Sequence, residues 1–131
     1  MIGDKDKISF YKAEIETCKG ILTYAARLSA YALKLSEKQQ DPKRKAELKK
    51  IAEVNAHVPA SPPKTFHETL QAIWTIQSLF LMEENQSSTS LGRIDQYVFP
   101  CYVSDIENGM LSKQQAFELM GCFMIKCSEI D

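Results

Sequence analysis

Residues 84 to 97 read "ENQSSTSLGRIDQY" and hold the densest group of side chains that could do chemistry. Serine hydroxyls both donate and accept hydrogen bonds, and a guanidinium can grip a carboxylate through two parallel bonds. Gly92 permits backbone conformations that other residues resist. In an extended chain the two-residue period places Ser88 with Ser90 on one face and Arg93 with Asp95 on one side. A compact polar group of this kind is structural more often than catalytic. Glu83 and Glu84, whose charges are unfavourable near a helix C-terminus, offer Arg93 a further carboxylate partner.

The remaining candidates are weaker. His57 and His67 stand on either side of a proline-rich loop with no carboxylate at metal-ligand spacing, which predicts helix-end histidines and no metal site. Cys122 and Cys127 are separated by about 140° around a helix, so they make poor joint ligands and read as packing residues. Cys18 and Cys101 complete a set of 4 cysteines too sparse for a disulfide scaffold, and free thiols are expected. Cys127-Ser128-Glu129 puts a thiol near a carboxylate, a pairing a nucleophile could use, but on the last helical turn. No catalytic residue is assigned from these patterns.

The elements that must position the polar group are helical. Apolar residues from Ile8 to about Lys38, among them Ile15, Cys18, Leu22, Ala25, Ala32, Leu33 and Leu35, recur at spacings of three and four, with Gly20 as a weak point. Asp41 and Pro42 suit the start of a second helix running to about His57 and burying Leu48, Ile51, Ala52 and Val54. Prolines 59, 62 and 63 make residues 58–64 an extended connector between helix pairs. Thr65 and Glu68 form a capping box for a third helix, ending near Asn85. Leu70, Ile73, Trp74, Phe80 and Met82 make that helix apolar over much of its circumference, as a central, many-sided core helix would be. A short helix in "YVFPCYVSDIENG" should stop at Asn108-Gly109, and a second capping box, Ser112 with Gln115, opens the last helix. Only Thr89 to Ile94 could be a strand. The expected fold is mainly α: about five helices with one short extended segment, in a single domain over residues 1–131.

Composition narrows the function. With 131 residues, 44% hydrophobic, 25% charged and a net charge of -1, the chain fits one soluble globular domain and lacks the charge excess that attracts nucleic acid or an anionic membrane. Its N-terminus has no signal-like apolar core, and a cytoplasmic location is expected. Phe123, Met124 and Ile125 keep the last helix apolar close to Asp131, which suggests a piece of something longer.

Three stretches in order, "KAELKKIAEVNAHVPASPPKTFHETLQAIW", "EENQSSTSLGRIDQY" and "DIENGMLSKQQAFELM", with "IK" after them, resemble one region of the glycyl radical enzymes, the pyruvate formate-lyase-like family. The most specific piece is Asn-x-x-Ser-x-Ser-x-Gly-Arg-x-Asp-Gln-Tyr, and the resemblance spans roughly residues 20 to 130. It implies that these helices correspond to part of an α/β ten-stranded barrel. The reaction it implies is radical cleavage of a C–C, C–O, C–N or C–S bond in a small organic substrate: a glycyl radical oxidises a cysteine to a thiyl radical, which takes hydrogen from the substrate. A radical S-adenosylmethionine activating enzyme installs the glycyl radical. The glycines of this chain lack the neighbours of the family's radical glycine, and Cys127 follows the Gly-Arg-x-Asp-Gln segment too soon to be its thiyl cysteine. The resemblance therefore implies an internal fragment that is inactive alone and binds no cofactor itself. Ser90, or Ser88 one strand period before it, matches the position that brings a hydroxyl to the substrate in some members. Gly92, Arg93, Asp95, Gln96 and Tyr97 form the structural motif. The sequence departs at Asn85-Gln86-Ser87, where many members carry Asn-Gly-His, so no particular substrate is implied. Expected partners are the remainder of the parent enzyme, its activating enzyme and, through uncovered apolar surface, further copies of the fragment. The alternative is a non-catalytic helical interaction module.

Overall fold

The computed structural model describes residues 4–84 and 90–129. Five helices follow in order: α1 (Asp4–Lys38), α2 (Pro42–His57), α3 (Phe66–Glu84), α4 (Ile94–Glu107) and α5 (Lys113–Ser128). At 1.5 Å per residue α1 is about 52 Å long and α2 about 24 Å. The hairpin they form therefore covers only the C-terminal half of α1. Ala25, Ala32 and Ser36 are buried there, and Ser29 Oγ donates to the Ala52 carbonyl at 2.7 Å. Small side chains let two helices approach closely, which is why Ala and Ser line this contact while Leu33 and Leu35 stay 48% and 37% exposed.

Three of the helix starts, those of α2, α3 and α5, have a side-chain cap. Asp41 accepts from the Lys43 and Arg44 amides, with Pro42 in the first turn where a missing N–H costs nothing. Thr65 Oγ1 accepts from the Glu68 amide at 3.2 Å while the Glu68 carboxylate accepts from the amides of Lys64 and Thr65. Ser112 and Gln115 complete a second reciprocal box on α5. α4 ends in a left-handed stop at Gly109, φ 67°, with the Met110 amide donating back to the Asp105 carbonyl and the Gly109 amide to that of Ile106.

α3 touches all four other helices, as its apolar circumference requires. One cluster joins Phe66 and Leu70 of α3, Val98 of α4, and Ala116 and Phe123 of α5. Two expectations for α3 fail: Phe80 and Met82 are exposed, whereas Thr75, Ser78 and Gln77 are buried. The polar face of α3 therefore points inward toward its C-terminal end. Cys122 is exposed and Cys127 half-buried, so packing does not account for Cys122. Among the described residues there is no strand, and no helix is long and apolar enough to cross a membrane.

Candidate functional site

The polar segment folds more tightly than an extended strand would. Ser88 and Thr89 lie outside the described residues. From Ser90 the chain turns sharply, with Gly92 in the left-handed region at φ 62° and Arg93 at φ −84°, ψ 64°. The Ile94 amide donates to the Gly92 carbonyl at 3.0 Å, closing an inverse γ-turn around Arg93. Helix α4 then begins at Ile94 and takes in Asp95, Gln96 and Tyr97. The candidate strand at 89–94 is not formed over the described residues 90–94, and the later start expected for this helix is corrected to Ile94. Pro100 sits inside α4, within the stretch expected to be helical.

Three contacts hold the turn. Ser90 Oγ accepts from the Gly92 amide at 3.2 Å. Tyr97 Oη donates to the Leu91 carbonyl at 2.8 Å, six residues back. Arg93 Nε and Nη2 donate to the two oxygens of Asp95 at 3.0 and 2.7 Å. The bond to Asp95 raises the Arg93 pKa, and the bond to Arg93 holds the Asp95 carboxyl below its ordinary value. Desolvation pushes the Tyr97 phenol up. Arg93 is thus committed to Asp95 within its own turn. The expected bridge to Glu83 is not among the contacts of the described residues, since the first-turn carboxylate lies closer along the chain, and the Glu84 side chain lies outside those residues. Ser90, Arg93, Asp95, Gln96 and Tyr97 are all exposed and can be reached from outside.

The structure adds a residue that periodicity could not find. Asp105, buried in α4, accepts from the Phe66 amide at 2.8 Å and so helps satisfy the free backbone donors at the start of α3. Its own carbonyl accepts from Met110 and Leu111. The only sequence signal was an acidic residue four positions before the Gly109 stop, in a helix that also carries Asp95 and Glu107.

The histidines sit apart from the turn. His57 Nε2 lies 3.1 Å from the Pro62 carbonyl and 3.9 Å from the Glu68 carboxylate. His67 is half-buried, and burial lowers its pKa below 6.5, with Lys50 adding to the effect and Glu68 opposing it. No group of three potential metal ligands comes together among the described residues. A cleft of about 770 Å³ between the α1–α2 hairpin, α3 and α5, walled by Ile51, Leu70, Trp74 and Phe123, includes none of residues 90–97.

The chain as a whole is matched in known proteins. The family model described as pyruvate formate lyase-like matches residues 2–131. The chain belongs to the pyruvate formate lyase-like family. It is 38% identical over 127 residues to the isethionate sulfite-lyase of Desulfovibrio desulfuricans, covering 96% of this chain and 15% of that protein. With the 4-hydroxyphenylacetate decarboxylase glycyl radical subunit of Clostridioides difficile it shares 32% identity over 126 residues, 96% of this chain and 14% of the relative. Among solved structures, that of the Roseburia inulinivorans protein described for 1,2-propanediol dehydration superposes with a TM-score of 0.91 at 36% identity, over 96% of this chain and 15% of that one. The helices of this pyruvate formate lyase-like chain thus reproduce one section of a much longer polypeptide, about one-seventh of its length.

Proposed function

We propose that the chain is the helical section of a glycyl radical lyase or dehydratase that carries part of the wall of the substrate chamber. The observation that carries this reading is the end-to-end family match combined with coverage of only 15% of the relatives. The turn from Ser90 to Tyr97 is the part that faces the substrate. Its hydrogen bonds and ion pair hold it in shape, and the Ser90 hydroxyl, whose oxygen accepts from Gly92, donates to no acceptor among the described residues and can offer its proton to a polar group of a ligand. Ser88 is the second candidate contact. Arg93 and Asp95 hold the turn in shape, and Gln96 and Tyr97 anchor the first turn of α4.

The relatives' names span release of sulfite, loss of carbon dioxide and dehydration, so the reaction class assigned here is radical cleavage of a bond in a small organic substrate. The hydrogen-abstracting cysteine and the radical glycine come from the rest of the enzyme, and a radical S-adenosylmethionine enzyme supplies the activation. These 131 residues alone are inactive. Incubating the chain anaerobically with such an activating enzyme, S-adenosylmethionine and a reductant, then recording the electron paramagnetic resonance spectrum, tests this. No glycyl radical doublet is expected, and a doublet would overturn the assignment of the radical to another part of the enzyme.

A further inference from the structure

The N-terminal half of α1 has no partner among the described residues, yet it is not built for water. Ile8, Tyr11, Ile15, Cys18 and Leu22 recur at alternating spacings of three and four, and Ile8, Tyr11 and Ile15 are each more than half exposed. Four of them, Tyr11, Ile15, Cys18 and Leu22, line a single shallow groove with Glu14 and Lys19. The same seven-residue repeat continues without a break into Ala25, Ser29, Ala32 and Ser36, the positions that face α2. On a straight helix such a seam drifts about 20° per heptad, a drift that a slight left-handed supercoil absorbs. One seam therefore serves two contacts. It has small residues where α2 is already packed, and large ones where α2 has run out.

Charges beside the seam decide what can cover it. Lys12 and Lys19 flank one edge, and Lys7 and Glu14 the other. Lys19 is held by Glu16 at 2.7 Å, an exposed pair that a competing carboxylate can displace at little cost. A second copy laid antiparallel and centred on Ile15 would set Lys12 against Lys19 and Glu14 against Glu14. A parallel copy would set Lys7 against Lys12, and gain only Glu14 against Lys19. Self-pairing is thus opposed by like charges in the antiparallel arrangement and gains nothing net from charge in the parallel one, whereas a helix with carboxylates along its flanks is favoured by three flanking lysines against one glutamate.

We propose that the seam from Ile8 to Leu22 docks an acid-flanked amphipathic helix, supplied by the remainder of the parent enzyme, end to end with α2. This rests on reading the chain as a section of a glycyl radical enzyme. The 0.91 superposition over 96% of the chain requires that α1 be matched over nearly its whole length inside a protein of which this chain is 15%, so ample polypeptide is present to cover it.

The test uses two synthetic peptides about three heptads long, with identical Ile and Leu at the seam positions, one carrying Glu at the flanks and the other Lys. The 131-residue chain should bind the Glu peptide about tenfold or more tighter than the Lys peptide, and binding should slow hydrogen exchange at residues 8–22. Ile15→Glu should weaken binding about tenfold or more, and Lys12→Glu with Lys19→Glu should reverse the preference between peptides. Both changes lie on exposed positions, and circular dichroism confirms that α1 is retained. Equal affinity for the two peptides, binding to neither, or protection elsewhere would overturn the proposal. So would a dimer of the chain that Ile15→Glu dissolves, which would give the seam to a second copy. None of these readouts involves a radical, so a doublet in the resonance experiment would leave the seam result standing, and loss of peptide preference would leave the catalytic reading standing.

Discussion

Gly20 and Gly92 make opposite demands on the chain, and an alanine at each measures the difference. At both sites an added Cβ meets nothing within 4 Å, so packing does not enter. Gly20 lies inside α1, where alanine is the better helix former by about 1 kcal/mol, so Gly20→Ala should raise stability by about that much in urea unfolding. Gly92 holds φ 62°, a conformation that costs an L-residue about 1 kcal/mol or more, so Gly92→Ala should lower stability by about the same amount. His67 supplies the pH dependence at this scale. Burial favours its neutral imidazole, so the folded chain holds the proton less tightly than the unfolded chain. Its contribution is fully present above the ordinary value of 6.5 and is lost as the pH falls below it. Denaturation midpoints should decline on acidification from neutrality, and His67→Gln should flatten that decline.

At the scale of elements, the tie between α4 and α3 is the contact to remove. Asp105→Ala leaves the buried Phe66 amide without its acceptor and should cost about 2 kcal/mol in urea unfolding. Asp105→Asn keeps an acceptor oxygen and should cost less. Most element boundaries were legible because the chemistry that sets them is local. Asp41, the Thr65–Glu68 box, the Ser112–Gln115 box and Gly109 all act within a few residues of themselves, and each stands where the sequence put it. The start of α4 was not legible. The sequence opened this helix no earlier than Tyr97 and took the serines before Gly92 as extended chain, whereas the γ-turn at Arg93 and the Asp95 bond start the helix at Ile94. Asp105 was missed for the complementary reason, since its partner is 39 residues away. In α1 the apolar pattern held two destinations, and hydrophobicity alone could not tell which was already occupied.

For the whole molecule, the balance of surfaces sets its behaviour alone. Phe117 is 74% exposed, and Met124 and Ile125, about two helical turns further on, continue the same outer stripe of α5. Apolar stripes of this kind drive association. The isolated chain should therefore show a mass above the monomer in light scattering, and Phe117→Glu with Met124→Glu should shift it toward monomer. A purely monomeric wild-type chain would count against the view that these faces are normally covered. Asp105 has one more consequence, and it concerns leverage. It pins α4 eleven residues from Ile94, about 16 Å along the helix axis, while Leu91, Ile94 and Val98 hold the other end against the core. A tilt of about 5° at that pivot would swing the Ser90–Tyr97 turn by roughly 1.5 Å, a distance comparable to misplacements that cost enzymes about a hundredfold in rate. On the proposed reading of Ser90 as a substrate contact, the aim of its hydroxyl is thus set in part from the far end of the arm, by one carboxylate that never approaches the turn itself.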